Sequence, residues 1–279
     1  MVSFMTKEAK HTFDGVAADY ERVRPTYPDA LISDILTFSR VPADGRILEI
    51  GSGTGQATVP FARRGYAIDC VEHGADLCEI ASQKFSDHPR VRVHCSPFED
   101  WESPDAQFDL AISATAFHFI APDIGYPKVA RLLRPECAIA FFWTVHVPSY
   151  SEVFIRIREV YRSVAPELDD SSFDPYGWIQ NERNTIDRTR LFSDVEVKTY
   201  AWTEVYDADR YVDLLATNSK HALLPEQTRN ELFTGIRGGI AACGGSLAKI
   251  HLVALYLARK TKETNNRVEA TGVPPAPHP

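Results

Sequence analysis

The chain has 279 residues, a formal net charge of −8 and 44% hydrophobic residues. That length allows one large α/β domain with an insertion, and the acidic balance argues against non-specific binding of nucleic acid. The longest mostly apolar run, Phe108 to Ile120, contains Asp109 and His118 and is too short to span a bilayer. Five scattered cysteines and the absence of a signal-peptide pattern predict reduced thiols and a cytoplasmic location.

The first 44 residues precede the first predicted strand. Residues 11–27 are rich in aromatic and charged groups, which predicts a solvated arm that covers the sheet edge. A helix is predicted to begin at Pro28 and to end near Arg40, since apolar residues recur through it at helical spacing.

A short apolar run then leads directly into three alternating glycines. Arg46 to Ile50 predicts a buried strand, and Ala57 to Arg64 has helical spacing. A strand that turns through glycines into a helix brings backbone N–H groups close to a ligand at the carboxyl end of the strand. The pattern predicts a nucleotide-type cofactor site in an open α/β sheet, and the alternative is a glycine turn without a ligand.

Two details of this turn argue against a dinucleotide. The glycines follow G-x-G-x-G, and Gln56 stands where the dinucleotide fingerprint has its third glycine. Glu49 lies within the strand, two residues before the first glycine. A carboxylate there repels a pyrophosphate but suits a ligand with an ammonium or sulfonium charge.

The stretch LEIGSGTGQ, residues 48–56, resembles the first motif of the class I S-adenosylmethionine (SAM)-dependent methyltransferases. The resemblance implies a Rossmann-like α/β fold whose seven-stranded sheet has the order 3-2-1-4-5-7-6, an antiparallel last strand, helices on both faces and a helical lid. It also implies SAM as cofactor and S-adenosylhomocysteine as product. The motif residues implied to bind the cofactor are Glu49, Gly51, Ser52, Gly53, Gly55 and Gln56.

The lead segment extends the resemblance. Its pattern F-x-x-x-A-x-x-Y-x-x-x-R-P-x-Y-P is similar to the N-terminal signature of a bacterial small-molecule methyltransferase subgroup. By that resemblance Tyr20 contacts the cofactor and Arg24 contacts the substrate. Simple packing of both side chains remains the alternative.

A second strand, Tyr66 to Glu72, ends on an acidic residue 17 positions after Gly55. An acidic residue about 20 positions after such a turn binds ribose hydroxyls, because a carboxylate can accept hydrogen bonds from both. Glu72 is therefore a predicted cofactor ligand, and a surface charge at a strand end is the alternative.

The third strand, Val91 to Cys95, runs into a loop that resembles the FEDW segment at the adenine pocket of this subgroup. The resemblance implies that Phe98 forms an apolar wall against the adenine and that Glu99 accepts a hydrogen bond from its amino group. Many relatives have an aspartate where Pro97 stands, so the acidic partner of the adenine amine stays open.

The fourth strand, Phe108 to Ser113, runs into ATAFHF, which resembles the A-x-H-W segment of these enzymes, with Phe119 in place of tryptophan. The resemblance implies that this end faces the transferred methyl group and that the backbone of Ser113 contacts the methionine part of SAM. His118 is the candidate general base, because imidazole titrates near neutral pH. A packing role for His118 stays open.

Three further residues are second-rank substrate contacts. Phe117 precedes His118, and Trp143 and His146 lie at the end of a fifth strand predicted from Cys137 to Val145, after a helix predicted from Ile124 to Leu133. Aromatic rings at these positions would attract the cationic sulfonium of the cofactor. The alternative is that they are ordinary walls of the cavity.

The remaining residues are predicted to form a lid and the last two strands of the sheet. A helix from Glu152 to Val164 precedes a long polar loop whose aromatic residues favour a lid. A sixth strand (Val195 to Trp202), two helices and a last strand (Ser246 to Ala258) are predicted to follow. The predicted organisation is an arm and helix over 1–44, a SAM-binding core over 45–147, a lid over 148–194, strands with inserted helices over 195–260 and a disordered tail over 261–279.

These patterns predict a SAM-dependent methyltransferase that acts on a nitrogen, oxygen or carbon atom of a small molecule. The alternatives are an NAD(P)-dependent oxidoreductase and a non-catalytic SAM-binding protein. We expect no metal, because no acidic cluster follows the fourth strand, and no nucleic-acid or membrane partner. A monomer and a homodimer are equally compatible with the sequence.

Overall fold

The structure is a computed structural model that describes Val23 and residues 26–262. The predicted contacts Tyr20 and Arg24 lie outside the described residues, and so does all of the predicted tail except 261–262. Within the described part, no helix is long and apolar enough to cross a membrane.

The centre of the molecule is one seven-stranded sheet in the order β3-β2-β1-β4-β5-β7-β6. The strands are β1 Arg46–Ile50, β2 Ala67–Glu72, β3 Val91–Cys95, β4 Phe108–Ala114, β5 Leu133–Val145, β6 Phe192–Asp207 and β7 Ser246–Lys260. The first five strands pair in parallel, and β7 is antiparallel to both β5 and β6. The predicted strand order and the antiparallel last strand are confirmed.

Helices cover both faces of the sheet. They are α1 Asp29–Ser39, α2 Thr58–Ala62, α3 Ala75–Lys84, α4 Pro122–Leu132, α5 Glu152–Val164, α6 Pro175–Thr189, α7 Ala208–Ala216, α8 Ser219–Ala222 and α9 Glu226–Ala242. Successive side chains of a strand point to opposite faces, so neighbouring residues of β1 enter different cores. Ile47 packs with α1 to α3 in one core, whereas Leu48 packs with α4 and α6 in the other.

The β6–β7 pair extends beyond the rest of the sheet. Residues 252–259 of β7 pair with β5, but the pairing of β7 with β6 continues to Ser246. A third apolar cluster lies on this extension, where Tyr206 and Leu247 pack against α5, α7 and α9. The helices α5, α7 and α9 with this cluster lie beside the carboxyl edge of the parallel strands and are called the helical part.

Four predicted elements need correction. The polar stretch predicted as a loop contains α6, because Asp174 caps it by accepting from the N–H of Tyr176 and Pro175 fits its first turn. Three helices, not two, separate β6 from β7, since Asn218 begins α8 by accepting from the N–H of Lys220. β5 is longer than predicted because it begins at Leu133, which pairs with Phe108 of β4. β6 is longer because its pairing with β7 runs from Phe192 to Asp207 and includes polar positions.

Candidate active site

The three glycines of the loop after β1 have different environments. Gly51, Gly53 and Gly55 all have left-handed backbones, with φ of 67°, 55° and 85°. A Cβ at Gly51 would lie 2.3 Å from the Cβ of Ala116, and one at Gly55 would lie 2.3 Å from the ring of Phe85. A Cβ at Gly53 would meet nothing within 4 Å. Gly53 therefore presents an open backbone surface, while the other two glycines are close-packed.

Glu72, at the carboxyl end of β2, binds this loop directly. Its Oε2 accepts from the N–H of Gly53 at 2.9 Å, and its Oε1 accepts from the N–H groups of His73 and Gly74 at 2.8 and 2.9 Å. Burial alone would raise the pKa of Glu72, but the side chain of His73, whose Nδ1 lies 3.1 Å from Oε1, and the backbone N–H groups of Gly74 and Gly53 outweigh burial and hold that pKa below its ordinary value. The carboxylate is 5% exposed, so the alternative of a surface charge is wrong.

Glu49 lies beneath the loop and has no exposed surface. Its Oε2 accepts from the hydroxyl of Thr58 at 2.7 Å, while Oε1 is buried without a hydrogen-bond partner among the described residues. Burial raises the pKa of Glu49 to about 8. A nearby positive charge would favour the ionised form. The predicted contact of Glu49 with the cofactor stays a prediction. Ser52, also in the loop, is buried as well.

Three other predicted cofactor contacts, Ser113, Phe98 and Glu99, have partners within the protein. Ser113 is fully buried and donates its hydroxyl to the carbonyl of Ile50 at 2.7 Å, so its side chain braces the loop. The predicted contact of its backbone with the methionine part of the cofactor stays a prediction. The ring of Phe98 is 4% exposed and lies below the ammonium of Lys128, which also donates to the carbonyl of Glu99. An adenine contact of Phe98 and Glu99 stays a prediction.

A cavity of about 1480 Å³ lies between the carboxyl edge of the sheet and the helical part. Its wall brings together five residues that were predicted from separate segments: Gln56, Phe117, His118, Trp143 and His146. Phe173 and Trp178, aromatic residues of the predicted lid, also line it. The cavity thus reaches the end of the glycine loop at Gln56 and the helical part on the other side, while Gly51, Gly53 and Gly55 do not line it.

The proton-accepting nitrogen of His118 is already occupied. The indole N–H of Trp143 donates to Nδ1 of His118 at 3.0 Å. An indole can only donate, so Nδ1 is unprotonated and the neutral ring carries its proton on Nε2. The surrounding protein desolvates the ring and lowers its pKa to about 4, although His118 is exposed to the cavity. In this arrangement His118 presents a hydrogen-bond donor, which corrects its prediction as general base.

The cavity also contains polar residues that the sequence did not indicate. The carboxylate of Asp170 lies 3.2 Å from Nε2 of His146, and the hydroxyl of Tyr161 lies 2.7 Å from Nε2 of His221. Lys249 lines the cavity from β7. These residues come from the lid, the inserted helices and the last strand, where no motif marked them.

Comparison with known proteins agrees with this geometry. Residues 47–136 match the family described as a methyltransferase domain. An uncharacterized methyltransferase of Mycobacterium tuberculosis is 25% identical over 226 residues, which cover 81% of this chain and 84% of that protein. The probable S-adenosylmethionine-dependent methyltransferase CRG1 of Saccharomyces cerevisiae is 28% identical over 134 residues, covering 46% of this chain and 45% of that protein.

Solved structures share the fold. Phosphoethanolamine N-methyltransferase 2 of Haemonchus contortus, in complex with phosphomonomethylethanolamine and S-adenosylhomocysteine, has a TM-score of 0.55 at 17% identity. The match covers 89% of this chain and 58% of that one, so this chain spans little more than half its length. The YcgJ protein of Bacillus subtilis has a TM-score of 0.54 at 16% identity, with 84% of this chain and 100% of that chain covered.

Proposed function

We propose, from the premise that this chain is a class I SAM-dependent methyltransferase, that it methylates a nitrogen, oxygen or carbon atom of a small molecule. The observation that carries the proposal is the position of one cavity, which reaches Gln56 of the glycine loop and is lined on its far side by the helical part. A cavity of about 1480 Å³ is large enough for a small acceptor beside the end of a cofactor.

The residues of the loop fit SAM. Gly53 leaves open space for a ligand, and the ionised Glu72 next to it is suited to ribose hydroxyls. Glu49 places a titratable carboxyl below the loop, where the ammonium group of a bound amino acid moiety would favour its ionised form. SAM supplies a methyl group that is already electrophilic because it is attached to a sulfonium.

The task of the protein is then to position the acceptor and to exclude water. Phe117 and Trp143 are 3% and 2% exposed and are part of the main core, so they form a rigid wall of the cavity. Trp178 packs edge-on against Trp143 with a ring-centroid distance of 6.0 Å, which attaches the predicted lid to that wall. The N–H of His118 on this wall orients an oxygen or nitrogen lone pair of the acceptor.

Calorimetric titration of the full chain with S-adenosylhomocysteine, with NAD⁺ as a parallel control, tests the cofactor. We expect micromolar binding of S-adenosylhomocysteine and none of NAD⁺; the reverse result would favour the oxidoreductase alternative. Transfer of a labelled methyl group from SAM to a metabolite extract tests the acceptor. Binding without any transfer would favour the non-catalytic alternative, against which the size of the cavity beside Gln56 argues.

We further propose that the enzyme works in the cytoplasm as a monomer or homodimer, without a nucleic-acid or membrane partner. Light scattering coupled to size-exclusion chromatography measures the assembly state directly. The proposal for the location is supported by the cysteines, since all five have free thiols.

A further inference from the structure

Lys249 of β7 lies in the wall of the cavity, on the face of the strand that meets the helical part. Successive residues of a strand alternate between its two faces, so Leu247, Lys249 and His251 share one face. Leu247 belongs to the apolar cluster of the helical part, and Nε2 of His251 lies 2.8 Å from the hydroxyl of Tyr206 in the same cluster. Lys249 lies between them and lines the cavity. A regular strand therefore holds the Lys249 side chain against the cavity.

The residue opposite Lys249 on β6 does not neutralise its charge. Glu204 pairs with Lys249 in the register of the two strands, a position that favours a cross-strand ion pair. The Glu204 carboxylate instead forms a salt bridge with Arg210 and accepts from the hydroxyl of Tyr206 at 3.0 Å. Within the described part of the chain, no carboxylate oxygen lies within 4 Å of the Lys249 ammonium. Lys249 is thus a half-buried cation without an ion-pair partner among these residues.

A second hydrogen-bond donor lies near Lys249. Tyr206 is diagonal to Lys249 across the β6–β7 pair, and its ring packs edge-on against that of Tyr211 with a centroid distance of 6.0 Å. Tyr211 lines the cavity, and its hydroxyl has no hydrogen-bond partner among the described residues. Burial raises the pKa of Tyr211 well above its ordinary value, so the phenol keeps its proton and can donate. An ammonium and a hydroxyl are therefore available at the same end of the cavity.

Three of the four carboxylates in the cavity wall belong to other parts of it or to other pairs. Asp169 accepts from Nε of Arg162 at 2.8 Å, and Arg162 does not line the cavity. Burial raises the pKa of Glu182 on α6, and the positive charge of Arg188 on the same helix opposes that shift. Asp123 lies in the first turn of α4. One of the three is thus balanced by a cation outside the wall, and another by a cation on its own helix.

Asp170 is the carboxylate that acts on Lys249. Burial lowers the pKa of Lys249, and the charge of Asp170 opposes that shift. Burial also lowers the pKa of His146, on which the charges of Asp170, Lys249, Lys220 and Arg158 act as well. Three positive charges and one negative charge therefore surround this end of the cavity. A bound anion would reduce that excess of positive charge.

We propose that the acceptor carries a carboxylate, separate from the atom that is methylated, whose two oxygens accept from the Lys249 ammonium and the Tyr211 hydroxyl. This inference rests on the proposed methyl transfer. Two donors match the two oxygens of a carboxylate, whereas a phosphate group presents three. Leu252 of β7 pairs with Val145, the last residue of β5, so Lys249 lies three residues, or about 10 Å, beyond that edge of the sheet. The acceptor therefore extends from this end of the cavity towards Gln56, beside the proposed cofactor site.

The charge of the product is tested first, by transfer of a labelled methyl group from SAM to a metabolite extract with the full chain. We expect an anion exchanger to retain the labelled product at about pH 7, and conversion of its carboxylates to amides to abolish that retention. A neutral or cationic product, or one whose retention is lost after phosphatase treatment, overturns the inference while the proposed function stands. Binding of S-adenosylhomocysteine without any transfer overturns the proposed function itself, and the inference with it.

The two donors are tested with the labelled product, which is isolated and used as the ligand in equilibrium dialysis with S-adenosylhomocysteine present. Lys249→Met should bind the product about 10–100-fold more weakly and Tyr211→Phe about 10-fold more weakly, because each loses a hydrogen bond to a charged group. Lys249→Arg keeps the charge and should recover part of the affinity. In Lys249→Met the KM of the acceptor should rise in parallel while kcat stays close to that of the wild type, because the carboxylate is separate from the reacting atom.

Lys262→Met is the matched control, because Lys262 is exposed, lies 2.9 Å from Glu136 and does not line the cavity. It should bind the product as the wild type does. Tyr211→Phe retains the aromatic ring, so it tests the site even if Lys249→Met folds poorly. Wild-type affinity in a folded Lys249→Met or Tyr211→Phe protein, or a loss of kcat without a loss of affinity, overturns the inference.

Discussion

The backbone N–H of Gly53 donates to Oε2 of Glu72 at 2.9 Å, which joins the glycine loop after β1 to the end of β2. Glu72 therefore has a structural partner in the loop in addition to its proposed ribose contact. Because both roles use the same carboxylate, a change at Glu72 should affect cofactor affinity and loop stability together.

Glu72→Gln should weaken the binding of S-adenosylhomocysteine by about 1–3 kcal/mol, because an amide replaces a charged acceptor of several hydrogen bonds. The melting temperature should also fall. Calorimetric titration and thermal unfolding measure the two effects. Glu226→Gln, in the exposed first turn of α9, is the control and should change neither value. Unchanged affinity in Glu72→Gln would remove Glu72 from the cofactor site.

Gly51→Ala should destabilise the fold more than Gly53→Ala. Both positions have positive φ, so backbone strain should destabilise both variants by about 1–2 kcal/mol. Only at Gly51 would the new Cβ also collide, at 2.3 Å from Ala116. Chemical unfolding of the two variants should therefore differ by about 1 kcal/mol or more. Equal losses would mean that Ala116 can move away at little cost.

Gly53→Val should leave the fold largely intact and abolish cofactor binding. The side chain would enter the open space in front of Gly53, where a Cβ meets nothing within 4 Å. Titration with S-adenosylhomocysteine measures the effect, and thermal unfolding of the same variant shows whether it is folded. Wild-type affinity in a folded Gly53→Val protein would place the ligand elsewhere.

Glu49→Gln should change how stability depends on pH. The folded state holds the proton of Glu49 up to a pKa of about 8, whereas an unfolded carboxyl loses it near 4.5. Between these values the folded state binds more protons, so Glu49 makes the free energy of unfolding fall as pH rises, by on the order of 3–5 kcal/mol in total. Urea unfolding at pH 5 and pH 8 should show a smaller fall in Glu49→Gln. Equal slopes in both proteins would contradict the raised pKa.

Burial lowers the pKa of His118 to about 4, and Trp143→Phe should raise that pKa by removing the donor to Nδ1. The indole N–H stabilises the unprotonated Nδ1, and phenylalanine cannot donate. NMR titration of labelled histidine measures the shift. Trp178→Phe is the control, because Trp178 packs against Trp143 without bonding to His118. A pKa that stays near 4 would show that desolvation alone sets it.

The sheet and the glycine loop were predictable because they depend on local chemistry. The run from Arg46 to Gly55 contains a strand and its glycine turn within ten residues. Glu72 follows at the end of the next strand, at the spacing expected for a ribose ligand. Parallel strands end at the same edge of a sheet, so strand order explains why Gln56 and His118 line the same cavity.

The chemistry of the cavity was less predictable because it depends on single atoms of distant residues. His118 and Trp143 are 25 residues apart, and only their geometry shows that the indole occupies the basic nitrogen. Asp170 lies in a polar segment whose composition resembles an ordinary loop. The start of α6 was signalled by Asp174 and Pro175, a capping pair that is easily overlooked within so polar a stretch.

The extension of β6 and β7 beyond the sheet divides the chain into one part that forms the glycine loop and another that forms the far wall of the cavity. The strands that build the glycine loop and Glu72 are complete before β6 begins, while residues 208–245 are inserted within one antiparallel hairpin. Substitutions or length changes in that insertion can reshape the far wall of the cavity without altering the register of β1, β2 or β4. The far wall of the cavity and the glycine loop therefore belong to separate parts of the chain, so the first can change in shape while the second is kept.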